Sequence, residues 1–392
     1  MLKAYKYRIY PNKKQQELFE KTFGSCRFVW NKMLEEKLKA FQETKKVPRI
    51  TPAKYKEEYP FLKEVDSLAL ANVQLQQEKA FKNYFKNKKH FKIPNFKKKK
   101  KYKQSYTTNN IKVDFEGGYL YLPKVKGGIK AIFHRQFEGK IKSATIVKTT
   151  TGKYYVSILV DIQNPKNKSK EPTNFVAGID LGLKNFAVIT NDTEIKKVEH
   201  PKYLSKALKK IKRFQRKLSR QKIGSKNREK TRKRLAREYE YVNNARNDFL
   251  HKLSKTIIDE NQVVVVEDLN VKSLSQTHLA KHVLDSAWSR FVQYLTYKAE
   301  WYDRKLLVAD RFFPSSKTCS SCGYIHKDLQ LKDRSWVCPS CGTTHDRDEN
   351  AAKNLRNYGI KYLVGLERPE FTPVEIASKR SMKQEATTSI SE

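Results

Sequence analysis

Acidic residues are scarce in this sequence. Its 392 residues contain 41 Asp and Glu against 82 Lys and Arg, so the formal net charge is +41. Charge on this scale opposes compaction by self-repulsion unless a polyanion neutralises it. We therefore expect a long nucleic acid as the partner, since a small-molecule substrate would leave the charge unexplained.

Long hydrophobic runs are also missing. The aliphatic stretch at 263–266 is only four residues long, whereas a membrane-spanning helix needs about 20 apolar residues. The opening "MLKAYKYRIYPNKK" has no apolar core of the kind that signal peptides carry. The sequence shows no amphipathic anchor or lipidation signal either. These absences predict an intracellular protein with no membrane partner.

Cysteine is rare, with five residues, and in a reducing compartment their pattern favours metal binding over disulfides. Cys26 lies among apolar residues at helical spacing and is expected to be a small buried side chain. The other four have the C-x2-C-x15-C-x2-C spacing of a zinc ribbon, and they are Cys319, Cys322, Cys338 and Cys341. Four thiolates leave no open coordination position, so one structural Zn²⁺ is predicted rather than a catalytic or redox centre.

The first 163 residues predict a small β-barrel that carries a helical insertion. Residues 2–9 alternate as a strand does, and segments between 105 and 163 alternate again with glycine-containing turns between them. Apolar residues at helical spacing fill the interval, from Pro11 onward and again over 66–87. The insertion is therefore placed at about 12–104, and the polar stretch 164–174 is predicted to be a linker.

Residues 175–366 predict an α/β domain. "FVAGIDLGLKNFAVIT" gives two strands around a turn, and "VVVVEDLNV" gives a buried strand that ends in acids. A helical hairpin at 202–253 has one apolar face, and 17 Lys or Arg stand against one acid over 202–237. The zinc ribbon is placed at 315–344. The polar tail 367–392 has no periodicity and is predicted to be disordered.

Three features are candidates for nucleic-acid contacts. The segment 86–103 interleaves ten lysines with aromatic residues, as in a surface that stacks on bases and neutralises phosphates; a solvated linker or a localisation signal is the alternative. The helix at 66–87 carries polar side chains able to read a short DNA motif, and the 202–253 hairpin carries a basic face. The residues singled out are Lys97, Lys98, Lys99, Lys100, Lys101, Arg213, Arg216, Lys217, Arg220, Gln74 and Gln77.

Three carboxylates are the candidates for catalysis. Asp180 ends a strand in "GIDLG", Glu267 ends "VVVVE", and Asp348 lies in the first helical turn of "DRDENAAKNL". Acids at strand ends of an α/β core, with one more from a helix start, are typical of sites that hold two Mg²⁺ ions about 4 Å apart, with Mn²⁺ as a substitute. Singly, each acid is more often a turn residue, a surface ion pair or a complement to the helix dipole. Their joint order along the chain favours the catalytic interpretation.

Two neighbouring acids compete for these roles. Asp268 follows Glu267 directly, and adjacent side chains on a strand point to opposite faces, so only one of them is expected to reach the metals. Asp346 and Glu349 have the spacing of a capping box, which predicts Asp346 as the helix N-cap. Asp348 is therefore assigned to the metals, with the exchange of these two roles as the alternative.

The motifs resemble those of the TnpB family, RNA-guided nucleases of bacterial insertion sequences that are related to the type V CRISPR effectors. The resemblance covers about 1–365 and rests on "YKYRIYPNKKQQ", "GIDLGLKNFAV", "VVVVEDLNV", "PSSKTCSSCG" and "CPSCGTTHDRDENAAKNL" in this order. It implies an α+β multidomain fold: an N-terminal wedge barrel with a helical recognition insertion, then a RuvC-like nuclease domain of the RNase H class with an inserted zinc ribbon. Asp180, Glu267 and Asp348 would be its catalytic triad.

The resemblance also implies a function. A guide RNA made from the end of the element would direct cleavage of double-stranded DNA beside a short motif, in the nucleoid of a bacterial or archaeal cytoplasm. A nuclease-inactive RNA-guided DNA-binding regulator and a transposase proper are the alternatives. An ATPase of the actin kind, which also carries "GIDLG", is disfavoured because no second Asp-x-Gly loop follows later in the chain.

Overall fold

The computed structural model describes residues 1–99, 104–163, 171–277, 280–330 and 332–365. The chain divides into two units on either side of residue 165. Some sequence predictions lie outside the described residues, namely those for Lys100 and Lys101, for most of the 164–174 linker and for the 367–392 tail. The domain limits given by the sequence stay predictions.

An antiparallel sheet organises the first unit. Its strands are β1 (Leu2–Tyr10), β2 (Ser105–Thr108), β3 (Lys112–Asp114), β4 (Tyr119–Tyr121), β5 (Ile129–Ile132), β6 (Lys140–Lys148) and β7 (Tyr154–Asp161). Their spatial order is β2-β6-β7-β1-β5-β4-β3. Every second residue of β7 is buried, as the alternation in the sequence predicts. Among the described strands β2 and β3 are the edges, so closure of this sheet into a barrel stays a prediction.

Two long helices pack on this sheet. They are α1 (Lys13–Thr44) and α2 (Ser67–Lys86), with short 3-10 helices at Pro52–Tyr55 and Pro60–Lys63 between them. Asn12 begins α1 with a capping box, because its side chain accepts from the Gln15 amide while the Gln15 side chain accepts from its own amide. The apolar stripe of α1, with Phe19, Phe23 and Val29, is buried against the sheet. Both predicted helices are confirmed.

A second sheet organises the other unit. Its strands are β8 (Asn174–Leu181), β9 (Asn185–Thr190), β10 (Ile195–Glu199), β11 (Asn261–Glu267) and β12 (Lys305–Ala309). The spatial order is β10-β9-β8-β11-β12, with the first three strands antiparallel and the last two parallel to β8. A strand buried on both faces reads as a continuous apolar run, which explains "VVVV" in β11.

Helices cover this second sheet. They are α3 (Tyr203–Arg220), α4 (Lys226–Glu260), α5 (Val271–Leu274), α6 (Ala280–Ser286), α7 (Trp288–Trp301) and α8 (Arg347–Leu363). The basic pair α3 and α4 forms the predicted hairpin. The Lys202 side chain does not cap α3; instead the buried Asp285 of α6 accepts from the Leu204 amide at 3.1 Å and pairs with Arg246 of α4 at 2.8 Å. None of the described helices combines the length and apolar character that crossing a bilayer requires.

Candidate active site and metal centre

Two parallel strands present two of the predicted acids side by side. The register of β8 and β11 pairs Gly178 with Val265 and Ile179 with Val266. Asp180 and Glu267 are the next residues of the two strands, and neighbouring strands lie about 4.8 Å apart. The sheet itself therefore brings these two carboxylates to the same end of adjacent strands.

Helix α8 supplies the third acid, and a glycine allows it to approach. A Cβ added at Gly178 of β8 would collide with the backbone oxygen of Ala352 and the backbone nitrogen of Arg356. On the helix side, a Cβ at Gly359 would lie 2.6 Å from a Val265 methyl group. The two glycines let α8 lie directly on the strands, and Asp348 in its first turn points to the strand ends.

The electrostatics of the acids show their proximity. Burial raises the pKa of Asp180 well above its usual range, and the charges of Glu267 and Asp348 raise it further. Burial also raises the pKa of Glu267, which the hydrogen bond from Ser315 opposes. Asp348 forms an ion pair with Arg334 at 3.6 Å. The three carboxylates thus repel one another in a poorly hydrated place, a condition that a divalent cation would relieve.

The two competing acids have other partners. The Asp346 side chain accepts from the backbone amides of Asp348 at 3.0 Å and Glu349 at 3.1 Å, so its prediction as the N-cap of α8 is confirmed. The other half of the predicted capping box is absent among the described contacts, because Glu349 pairs with Lys197 at 2.7 Å instead. Burial would raise the pKa of Asp346, but the Glu349 amide and Lys197 hold it below its usual range. Asp268 pairs with Arg311.

The four thiols form a compact cluster, and their sulfur atoms all lie within 4.8 Å of one another. The Cys319–Cys341 and Cys322–Cys338 sulfurs are 3.6 Å apart, close to the edge of about 3.8 Å in a tetrahedron with Zn–S bonds of about 2.3 Å. Each Cys-x-x-Cys pair turns through a glycine with positive φ, 80° at Gly323 and 72° at Gly342. The cluster could therefore hold a structural zinc ion. Among the described residues the three acids are more widely spaced than these thiols.

Two asparagines that the sequence analysis did not single out join the thiol cluster to α8. Asn350 accepts from the Ser320 amide at 2.9 Å and donates to the Thr318 carbonyl at 2.7 Å. Asn354, one turn further, donates to the Ser315 and Thr318 carbonyls at 2.7 and 2.6 Å. Both asparagines are buried. The segment that leads into Cys319 is thus bonded to the helix that carries Asp348, and its Ser315 hydroxyl also reaches Glu267. Their i, i+4 spacing between alanines in "ENAAKNL" was the available signal.

His345 is a further residue that the sequence analysis missed. It is buried, and its Nε2 lies 3.0 Å from the Cys319 sulfur. Its ring also lies 4.7 Å from the Trp336 ring, across the strands β13 (Ser335–Val337) and β14 (Thr344–Asp346). The residue helps to enclose the thiol cluster between this hairpin and α8.

The predicted contacts of Gln74 and Gln77 with DNA bases do not fit the structure. Gln77 is completely buried and donates to the Trp30 carbonyl at 2.9 Å, while Gln74 is 7% exposed and donates to Glu78. Their helix was predicted correctly, but they lie on its interior side. We therefore correct their role from recognition of base edges to packing of α2 on α1.

The predicted basic contacts divide into exposed and covered residues. Lys98 and Lys99 are exposed, and so are the four selected side chains of α3, Arg213, Arg216, Lys217 and Arg220. Lys97 differs, because its ammonium lies 3.7 Å from the centre of the Trp30 ring and burial lowers its pKa to about 8. Lys97 is therefore a poor phosphate ligand, contrary to its prediction.

Family comparisons agree with this arrangement. Residues 157–278 match the OrfB_IS605 family, described as "Probable transposase", and residues 288–355 match the "Cas12f1-like, TNB domain" family. Residues 1–46 match a family described as "Helix-turn-helix domain", although here they form the strand β1 and the single helix α1. The second match spans the thiol cluster and the start of α8.

Whole-chain similarities extend further. A Streptomyces pristinaespiralis protein named "Putative RNA-guided DNA endonuclease" is 36% identical over 91% of this chain and 89% of its own length. The Escherichia coli K12 protein "Putative RNA-guided DNA endonuclease InsQ" is 28% identical over 99% and 98%. A Cas12f1 chain, solved in complex with sgRNA and target DNA, shares the fold at a TM-score of 0.60 and 14% identity, over 88% of this chain and 83% of that one. The chain belongs to the TnpB family, the OrfB proteins of IS605-type transposable elements.

Proposed function

We propose that this chain is an RNA-guided endonuclease that hydrolyses double-stranded DNA at Asp180, Glu267 and Asp348. The observation that carries the proposal is the convergence of the three acids, in which Glu267 and Asp348 raise the pKa of a buried Asp180. A structural role alone would favour a cationic partner for Asp180 instead of two further carboxylates. The names of the relatives support nucleic-acid cleavage as the reaction.

The order of the second sheet supports a RuvC-like domain of the RNase H class. An antiparallel three-stranded part, β10-β9-β8, is extended by the parallel strands β11 and β12. Ligands of open α/β sheets bind beyond the carboxyl ends of parallel strands, and Asp180 and Glu267 lie at those ends. The α8 helix, held on β8 by the close approach at Gly178, completes the acidic site.

Divalent cations fit this donor set. Carboxylate oxygens are the ligands that Mg²⁺ and Mn²⁺ prefer, and the three acids lack a buried cationic partner that would compete, since Arg334 is 63% exposed. When bound, two such ions would supply an activated water and stabilise the leaving oxygen of the phosphodiester. The protein contributes the fixed strand ends and the Ser315 hydroxyl that orients Glu267.

A structural zinc ion in a ribbon is the proposed occupant of the thiol cluster. Its four sulfur ligands leave no position for substrate, so its role is mechanical. Through Asn350 and Asn354 the cluster fixes the start of α8. This connection explains why the second Cys-x-x-Cys pair stands only a few residues before Asp348 in the chain.

Cleavage by the purified protein tests the proposal. The protein is incubated with Mg²⁺, with plasmid DNA bearing a target beside the element's insertion motif, and with RNA transcribed from the end of the element. We expect linear plasmid that depends on the guide sequence and is lost with EDTA. Guide-dependent binding without cleavage would instead favour the DNA-binding regulator, and covalent joining of DNA ends would favour a transposase.

A further inference from the structure

A surface cavity of about 430 Å³ lies on α1 in the first unit. This volume falls in the range of about 300 to 1,000 Å³ that ligand pockets occupy. Its residues on α1 are spaced three and four apart, so they share one face of the helix. The cavity is lined by Arg27, Phe28, Asn31, Lys32 and Glu35 from α1 and by Phe96 from the chain that crosses it.

Phe96 is half exposed, yet its backbone is anchored on both sides. Before it, the Trp30 indole donates to the Asn95 carbonyl at 3.0 Å. After it, the Asn31 side chain both accepts from the Lys97 amide at 2.8 Å and donates to the Lys97 carbonyl at 3.1 Å. An aromatic ring that is 49% exposed and held at the mouth of a cavity is prepared to receive another flat apolar surface.

The charged groups of the cavity select the kind of ligand. Arg27 and Lys32 line it, and the exposed Lys98 and Lys99 follow Phe96 directly. These cations suit a phosphate, and Glu35 is an acceptor for the amino group of a base. A peptide side chain would use the two phenylalanine walls but would leave the cations without a function.

We propose that this cavity binds one unpaired nucleotide of a nucleic-acid strand, with its base stacked on Phe96. Stacking on an aromatic side chain tolerates any base, because each base has a π face. The assignment rests on the proposed nucleic-acid partner but not on cleavage, since the cavity contains none of the three catalytic candidates.

Binding of single strands with and without bases tests the assignment. Affinities of the full chain are measured by fluorescence anisotropy for oligo(rA) and oligo(dA) of about 12 nucleotides, a length within single-strand site sizes. A backbone of the same length without bases is measured at the same salt concentration. The quantity of interest is the ratio of the affinities with and without bases. In Phe96→Ala we expect this ratio to fall by roughly fivefold or more, with unchanged affinity for the baseless strand.

Two further variants complete the test. Phe96→Trp keeps an aromatic face and should keep the ratio. Phe85→Ala removes a phenylalanine of similar exposure, 43%, that does not line the cavity, and should leave the ratio unchanged. Comparison of the two strands shows whether RNA or DNA is bound. A ratio that survives Phe96→Ala on both strands, or falls equally in Phe85→Ala, overturns the assignment, whereas cleavage by the same variants tests the endonuclease separately.

Discussion

At the scale of single residues, one position along a strand changes the role of a carboxylate. Glu267 ends β11 and shares a partly buried place with Asp180, while Asp268 is 44% exposed and pairs with Arg311. The same contrast separates Asp348 from Asp346, since Asp346 spends its oxygens on two backbone amides of α8. Local geometry thus distinguishes acids that can bind cations from acids that stabilise the fold.

Alanine substitutions should separate these two groups. Asp180→Ala, Glu267→Ala and Asp348→Ala each remove a proposed metal ligand, so we expect cleavage to fall by about 100-fold or more while guide RNA still binds. Asp346→Ala removes a helix cap and should cost about 0.5 to 2 kcal/mol of stability with cleavage retained. Plasmid cleavage and thermal unfolding are measured for each variant. Active Asp348→Ala together with inactive Asp346→Ala would exchange the two assignments.

Lys97 and Lys98 form a second contrasting pair. Burial lowers the pKa of Lys97 to about 8, from the ordinary 10.5, whereas Lys98 is exposed. Below pH 8 Lys97 is charged in both the folded and the unfolded states, and the folded state carries the cost of burying the charge. Between pH 8 and 10.5 the unfolded state binds more protons, so the stability contribution of Lys97 rises with pH across this window.

Substitution by methionine should show this difference. Relative to Lys97→Met, the wild-type free energy of unfolding should increase from pH 8 to 10.5 by about 2 to 3 kcal/mol, less whatever the Trp30 ring returns to the charged form. Lys98→Met should leave stability unchanged but lower the salt dependence of RNA binding by about 0.7 to 0.9 per phosphate contact. Denaturant titrations at several pH values and binding at several salt concentrations measure both. Equal behaviour of the two variants would contradict the assignment.

At the scale of elements, the closeness of α8 to β8 positions Asp348. Gly178→Ala would force a Cβ into the helix backbone at Ala352 and Arg356, which cannot move as a flexible side chain could. We expect a loss of about 1 to 3 kcal/mol in stability and reduced cleavage, because α8 and Asp348 are displaced together. Gly24→Ala is the control, since it lies inside α1 with open space around its Cβ. That variant should gain about 0.5 to 1 kcal/mol, and a loss comparable to that of Gly178→Ala would refute the packing argument.

The thiol cluster is the second element that acts on Asp348. Cys338→Ser removes one of four ligands, and ligand loss weakens metal affinity and folding together. We expect bound zinc to fall from one equivalent, cleavage to decrease even in excess Mg²⁺, and the second unit to unfold at lower temperature. Elemental analysis and calorimetry follow these changes. Cys26→Ala, at a buried cysteine outside the cluster, should keep one zinc per chain, and unaltered cleavage by zinc-free, folded Cys338→Ser would exclude the coupling.

At the scale of the whole molecule, features with a local pattern could be predicted and tertiary partners could not. The alternation of β7, the stripe of α1 and the thiol spacing each follow from a period or a short turn. The burial of Gln77 does not, because helical spacing gives a face only when the apolar residues mark it, and this glutamine bonds the Trp30 carbonyl from within. Asp285 caps a helix 80 residues away in the chain, and no sequence spacing announces such a contact.

The net charge of +41 could act through one surface or through the whole molecule. The exposed side of α3 offers a surface, since its basic residues lie opposite the buried Ala207, Ile211 and Phe214. Changing Arg213, Arg216, Lys217 and Arg220 together to glutamine should lower the slope of log K against log salt for RNA by up to about 3, that is 0.7 to 0.9 per phosphate. The control removes the same charge from exposed lysines of the first unit, namely Lys13, Lys14, Lys39 and Lys112. Equal slopes in both variants would show that the charge acts diffusely, because a defined polyanion surface requires the α3 variant to lose more.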